Sequence, residues 1–521
     1  MATMRRKATG IFLAAIFAVG AALAGTPAMA AVKLPALISD NMVLQQGMKV
    51  PIWGWASPGE TVTVKIAGQQ ARATADKDGR WRVSLDPLKP GPALKMNITA
   101  GGKTTTVKNI LVGEVWVCSG QSNMTHPTIL TVTANNEVAK AKYPEIRLCN
   151  VAETVADTPQ QDVKAAWTPC TPATVQQFSA VAYYFGRKLH LDLGVPVGLI
   201  HSSVGATEAE SWMDRKVLEA DPEFKPIFDF WVHQRKEHED NVAGAAQRLA
   251  AWRQAAEKAK AEGKPVPPTP PGIPFDWSVR YPGRLYNGMI APLMPYGIRG
   301  VIWYQGESNY VGALYRKEFA TLIRSWRKAW REGDFPFLFV QLANYGERKS
   351  EPGPSAWAVT RQAQLESLAE PNTAMAVTID IGKGNYIHPG NKQDVGRRLA
   401  LAAEALVYGK EVVYSGPICD GIEVKGNKAR LKFKHVDGGL VVKGGGALKG
   451  FAVAGADRKF VWAEAKIDGD TVVVSSEKVK RPVFVRYAWA DNPDCNLFNK
   501  ADLPASPFEV PSSSAKPTAR K

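Results

Sequence analysis

The chain is poor in the residues that most often carry metals and redox chemistry. It has seven histidines and five cysteines in 521 residues, and neither type clusters. No CxxC pair, HExxH helix or EF-hand loop occurs, so the sequence requires no metal and no cofactor. Gly444-Gly445-Gly446 is not a phosphate loop, because it lacks the Lys-Ser/Thr ending and lies among short strands. Beyond the N-terminus no apolar run is long enough to span a bilayer. Basic-aromatic recognition motifs are also missing. The formal charge of +16 therefore gives no reason to expect nucleic acid; the basic residues are scattered, and a polyanionic surface or plain solubility explains them equally.

The N-terminus is different. Arg5, Arg6 and Lys7 precede an apolar run from Ile11 to Leu23, and Ala28-Met29-Ala30 fits the small-x-small cleavage rule. Residues 1–30 read as a signal peptide, which implies a periplasmic or secreted protein without stable membrane insertion. Export makes disulfides possible. Cys149 could pair with Cys170 and Cys419 with Cys495, while Cys118, in an apolar strand, reads as a buried free thiol.

The length exceeds one ordinary core and implies several domains. Residues 31–109 carry short alternating runs broken by Gly, Pro and Asp, such as Thr61–Ile66, and a hairpin signal at Asp78-Gly79. They read as a β-sandwich. Over 110–409 continuous apolar strands alternate with amphipathic helices. Val115–Cys118, Val197–His201, Gly300–Tyr304, Phe337–Leu342 and Met375–Ile379 are the strands. Tyr315, Phe319, Leu322, Ile323, Trp326 and Trp330 mark one helix stripe. This pattern predicts an α/β fold with a parallel sheet covered on both faces. An insertion at about 221–280 carries a polar helix over 241–262 and then a Pro-rich run. Residues 410–511 return to short strands and form a second β-domain, and 512–521 read as a disordered tail.

Ser122 follows the first of the apolar strands, in Gly120-Gln121-Ser122-Asn123-Met124. Parallel sheets build their sites at that edge. The pattern alone leaves a nucleophile and a helix N-cap equally open. A serine nucleophile needs a base. His190, His233, His238 and His435 lie on a helix, in the insertion or in the C-terminal domain. His126, His201 and His388 remain, with His388 modestly preferred because its loop follows the last parallel strand. Gly205 follows the second strand and Gln305-Gly306-Glu307-Ser308-Asn309 the third. Backbone N–H groups and amides there could form an oxyanion hole.

Taken together, three blocks resemble the sialate O-acetylesterase family of SGNH-type hydrolases. They are Gly113–Met124, then Leu285–Ile290 with Gly300–Asn309, and Ile387–Gln393. The likeness spans most of the chain after residue 30, both β-domains included. It implies a flavodoxin-like three-layer α/β/α domain flanked by β-rich domains, acting on O-acetyl groups of a carbohydrate. It also implies Ser122 as nucleophile, His388 as general base and acid, and Gly205 in the oxyanion hole, with Gln305 preferred over Asn309 as the amide donor. Gln121, Asn123, Asn287 and Glu307, polar residues of the same blocks, are expected at the substrate. The sequence departs from the family pattern where an acid would precede the histidine, because Asn385 and Tyr386 stand there. Asp380 is then the candidate third triad member, with a backbone carbonyl as the alternative. The sugar is left open between sialic acid and a plant polysaccharide such as xylan or xyloglucan. Two other classes compete: a non-catalytic carbohydrate-binding protein, and a glycoside hydrolase using Glu114 and Glu307 as paired carboxylates.

Overall fold

The structure, a computed structural model, describes residues 32–270, 277–309 and 312–512. The expected signal peptide and residues 513–521 of the expected tail lie outside the described residues. Among the described residues no helix is long and apolar enough to cross a membrane.

One strand organises the molecule. Strand β1 (Lys103–Gly120) begins in the N-terminal sandwich, where it pairs antiparallel with Leu94–Ala100. It then pairs in parallel with Val43–Gln45, and from Glu114 onward becomes the central strand of a second sheet. The division expected at 109/110 thus falls inside a strand that both parts share.

The other strands of that sheet are β2 (Tyr143–Asn150), β3 (Trp167–Cys170), β4 (Val197–Ser203), β5 (Gly300–Tyr304), β6 (Phe337–Val340) and β7 (Thr373–Ala376). Their order is β7-β6-β5-β1-β4-β2-β3. All neighbours are parallel except β2 and β3. The chain fills one side of β1 first and the other side afterwards, so the crevice opens at the C-terminal end of β1. In register, Gly120 lies beside both Ser203 and Tyr304, so three strands end at one level.

The helices that bear on the site are α1 (Ser122–Thr125), α2 (Ala180–Leu193), α3 (Lys225–Ala261), α4 (Gly312–Trp330), α5 (Ala356–Glu366) and α6 (Lys392–Leu406). Alternation along the strands feeds two cores. Val115, Val117, Trp303 and Phe339 pack with Phe319, Leu322 and Trp326 of α4. Trp116, Cys118, Ile302 and Leu338 pack with Phe185 and Leu189 of α2 and with Leu399 and Ala403 of α6. Strands buried on both faces must be apolar throughout, which is why they read as continuous runs.

Three expectations need correction. Strand β2 was not foreseen, because Pro144, Glu145 and Arg147 interrupt its pattern; the structure buries Arg147 against the carbonyls of Pro144, Asn41 and Asn109. The insertion helix starts at Lys225, well before 241, and its first turns are anchored by Ile227 and Trp231. Neither disulfide forms; all five cysteines are free thiols. In the β2–β3 register Cys149 faces Trp167 and Cys170 faces Tyr143, and the two thiols belong to opposite cores of the sheet. Cys419 Sγ instead donates to the Gly421 carbonyl.

In the C-terminal region, Ile418–Lys425, Lys428–Lys434, Thr471–Ser475 and Glu464–Asp468 form one sheet. Val461–Trp462, Phe451–Ala454, Phe484–Tyr487 and Phe508–Pro511 form another. Leu431, Val453, Val474 and Tyr487 fill the space between them. The fully buried Arg361 of α5 ties this region to the main parallel sheet. It donates to the carbonyls of Leu342 and Ala343 on one side and of Ala490 and Asp491 on the other, at 2.6–3.0 Å. Burial pulls its pKa down to about 9.

Candidate active site

The turn after β1 allows little freedom. Gly120 has φ +134°, and a Cβ there would lie 2.1 Å from the Tyr304 carbonyl oxygen. Only glycine lets β1 and β5 close at this point. Gln121 N–H then donates to Tyr304 O at 2.9 Å, and Ser122 opens α1.

His388 arrives on the loop between β7 and α6, and its Nε2 lies 2.8 Å from Ser122 Oγ. The other candidate bases are committed elsewhere. His201 Nε2 lies 2.6 Å from Ser203 Oγ and its Nδ1 lies 2.8 Å from Asn150 Oδ1. His126 Nε2 is near the Leu130 carbonyl. Tyr386 packs edge-on against the His388 ring with centroids 5.7 Å apart.

Gly205, on the loop after β4, comes close to the nucleophile; a Cβ there would sit 3.4 Å from Ser122 Cβ. Among the described residues the N–H groups of Ser122 and Gly205 make no hydrogen bond. Gly205 thus borders the nucleophile. The amides after β5 do not join it. Gln305 is fully buried, and its Nε2 donates to the Thr207 carbonyl and to Asn309 Oδ1. Asn309 Nδ2 donates to Glu318 at 2.9 Å and to Glu210 at 3.4 Å. Both amides brace the loops around the site, so neither takes the oxyanion position expected of it here. Asn287 likewise donates to the Ala156 carbonyl, and Gln121 Oε1 accepts from Gly306 N–H.

Asn123 carries more of the arrangement than the sequence suggested. Its Nδ2 donates to Glu307 Oε1 at 2.6 Å and to the carbonyl of Ile387, the residue before His388, at 3.1 Å. Its Oδ1 accepts from Lys392 Nζ. Lys392 was not foreseen. It is wholly buried at the start of α6, with Nζ 5.2 Å from the centre of the Tyr304 ring. A signal existed: Lys392, Val395, Gly396 and Leu399 share one helical stripe, so the lysine occupies a core position. Burial lowers its pKa to about 7, against the opposing pull of Glu307. Burial likewise raises the Glu307 carboxyl, and the Asn123 hydrogen bond and Lys392 oppose that shift. His388 is lowered from its ordinary 6.5, first by burial and then by the Lys392 charge. The imidazole is therefore held neutral, as a base must be.

Asp380 does not fill the third triad place. Both of its carboxylate oxygens accept from the Arg398 guanidinium of α6, each at 2.7 Å, and Arg398 also donates to the Val377 carbonyl. Among the described residues it makes no hydrogen bond with His388. The pair clamps the end of β7 to α6, and the loop carrying His388 spans the clamp.

The paired-carboxylate reading fails on distance. Glu114 lies six positions before Gly120 on β1, so it sits about 20 Å from the edge where Glu307 stands. Glycosidase carboxyls are roughly 5–9.5 Å apart. Glu114 is instead buried among Arg299, Tyr408, Gln45 and Gln46.

A serine and a histidine in contact at the C-terminal edge of a parallel sheet suit a serine esterase. Known proteins agree with it. The family described as "Carbohydrate esterase, sialic acid-specific acetylesterase" matches residues 266–405. Sialate O-acetylesterase from Homo sapiens is 30% identical, over 90% of this chain and 91% of that protein. The Mus musculus protein of the same name is 31% identical, over 90% and 93%. The chain belongs to the sialate O-acetylesterase family. A solved carbohydrate acetylesterase from Xanthomonas citri shares 37% identity and a TM-score of 0.78, over 92% of this chain and 99% of that one. This member of the sialate O-acetylesterase family is thus a carboxylic ester hydrolase that removes O-acetyl groups.

Two outcomes follow for variants. His388 accepts a proton only when neutral, so activity holds above its pKa and is lost as pH falls through it. The acid limb of kcat/KM is expected below pH 6.5, the ordinary value from which His388 is lowered. Lys392, with a pKa of about 7, is cationic across that limb. Lys392→Met removes its charge and should move the limb upward, as a pH–rate profile would register; a limb that stays put contradicts the assignment. Asp380→Asn should lower kcat less than about tenfold, whereas loss of a triad aspartate costs about 10⁴. It should still destabilise the fold by roughly 3 kcal/mol, because Arg398 loses its buried partner; steady-state kinetics and thermal melting of the one variant check both.

Proposed function

We propose that the chain is an exported serine esterase that deacetylates glycans, with Ser122 as nucleophile and His388 as its base. The 2.8 Å approach of His388 Nε2 to Ser122 Oγ carries this reading. Export rests on the basic, apolar and small-x-small pattern of residues 5–30.

In the first half-reaction, with the imidazole proton on Nδ1, the Ser122 hydroxyl donates to Nε2. Oγ bonds to the acetyl carbonyl carbon as Nε2 takes its proton. The carbonyl oxygen becomes an oxyanion held by the N–H groups of Ser122 and Gly205. The bond from carbon to the sugar oxygen then breaks, and Nε2 returns the proton to that oxygen. Water repeats the sequence on the acetyl-serine and releases acetate. The nearby Lys392 cation makes the imidazolium a stronger acid, which favours protonation of the leaving sugar. No carboxylate on Nδ1 enters this scheme. Tyr386 packing and the Asn123 bond to Ile387 set the ring's position instead. Asp380 acts at one remove, as a positioning residue through Arg398.

The test is acetate release from acetylated xylan, acetylated xyloglucan and O-acetyl sialic acid by the wild type and Ser122→Ala. The variant should melt like the wild type and release no acetate from any of them. Wild-type release by the variant would overturn the assignment.

A further inference from the structure

A second cleft, of about 420 Å³, lies between the 348–351 segment and the C-terminal sheet that carries Trp462. Among the described tryptophan side chains Trp462 alone is exposed, at 45%. Large aromatics are normally buried, so an exposed one lining a cleft calls for an explanation. Trp462 is not loose. It pairs with Ala452 across the sheet, and its Nε1 donates to the Ser350 carbonyl at 2.7 Å. The ring is thereby held as a fixed wall, with the half-buried Trp489 lining the same space.

The polar lining suits a neutral, hydroxyl-rich ligand. Lys449 Nζ lies 3.0 Å from Asp494, and Arg348 lies 3.9 Å from the same carboxylate. Glu351 and Lys349 add one charge of each sign. Three cations and two carboxylates thus line the cleft beside the aromatic wall, so it offers both hydrogen-bond donors and acceptors. Pyranose rings present this chemistry: apolar C–H faces that stack on indole and equatorial hydroxyls that both donate and accept.

The cleft adjoins the catalytic loop. Its wall residue Asn492 donates to the Gly346 carbonyl at 2.8 Å and accepts from Asn344 at 2.9 Å. Asn344 accepts from Gly382 N–H at 2.8 Å, and Gly346 N–H donates to the Gly384 carbonyl at 2.9 Å. Gly384 stands four residues before His388, at most about 14 Å along the chain. Between them lies Tyr386, 48% exposed and in contact with the His388 ring. One exposed aromatic surface thus lies beside the Ser122–His388 pair, and the cleft with the other is linked to the same loop by hydrogen bonds.

We propose that this cleft is a distal carbohydrate subsite, in which Trp462 stacks on a neutral pyranose of the same glycan chain that presents its O-acetyl group to Ser122. The inference rests on the esterase reading for what happens at Ser122, but binding in the cleft needs no turnover. Titration calorimetry with unacetylated xylohexaose therefore tests it directly. The wild type should bind, Trp462→Ala about tenfold more weakly or worse, and Trp462→Tyr should recover most of the loss, since a ring is restored. Glu351→Ala, at a residue that also lines the cleft, should weaken binding while leaving the tryptophan in place. In kinetics, the ratio of kcat/KM on acetylated xylohexaose to that on 4-nitrophenyl acetate should fall about tenfold in Trp462→Ala through KM. No binding by the wild type, equal binding by Trp462→Ala, or an unchanged ratio would overturn the subsite. A wild type that binds xylohexaose yet releases no acetate from any ester would overturn the esterase reading and leave the subsite standing.

Discussion

The Asn123 amide joins three pieces of chain that reach the sheet edge from far apart. It grows from the turn that presents Ser122, and it bonds the Glu307 loop after β5, the Ile387 carbonyl beside His388, and Lys392 at the head of α6. Here a neutral amide separates a lysine from a glutamate, donating to the acid and accepting from the base. The loop bearing His388 crosses from β7 to α6 without a strand partner of its own in the main sheet, and this bridge holds it at the residue next to His388, while the bonds of Gly382 and Gly384 hold it farther back.

Electrostatics at the site differ from the familiar triad in sign. A triad aspartate stabilises the imidazolium, whereas the Lys392 charge, together with burial, disfavours it. The base is weaker for it and the corresponding acid stronger. An acetyl ester of a sugar hydroxyl gains from the second, since the leaving oxygen must be protonated as the bond breaks. The clamp of Asp380 on Arg398 shows where the acid went: it holds the loop's end in place and leaves His388 to burial and packing.

Much of this was legible before any coordinates. Gly300–Tyr304 reads as a strand and is one, because a strand buried on both faces has to be apolar at every position. Ser122 and Gly205 follow neighbouring strands of the sheet, β1 and β4, whose ends the register brings to one level, and His388 follows the last parallel strand, β7. What stayed hidden depends on partners distant in sequence. Asp380 looked like the missing acid from its place after a strand, but nothing local reveals that Arg398 takes both its oxygens. Gln305 and Asn309 follow β5 at that edge, yet the groups that occupy their amides come from the loop after β4 and from helix α4. Arg147 could not be read into β2 without the carbonyls that solvate it. Lys392 is the instructive case: it lay on the apolar stripe of α6, and a charged residue on such a stripe is itself a signal.

The central claim is that Ser122 is made nucleophilic by His388. Exposure to a fluorophosphonate at neutral pH, followed by mass mapping of the adduct, tests it most directly. A single adduct on the peptide bearing Ser122 is predicted, formed at least about 100-fold more slowly in His388→Ala. An adduct on another residue, or labelling of Ser122 at an unchanged rate without His388, would contradict the account.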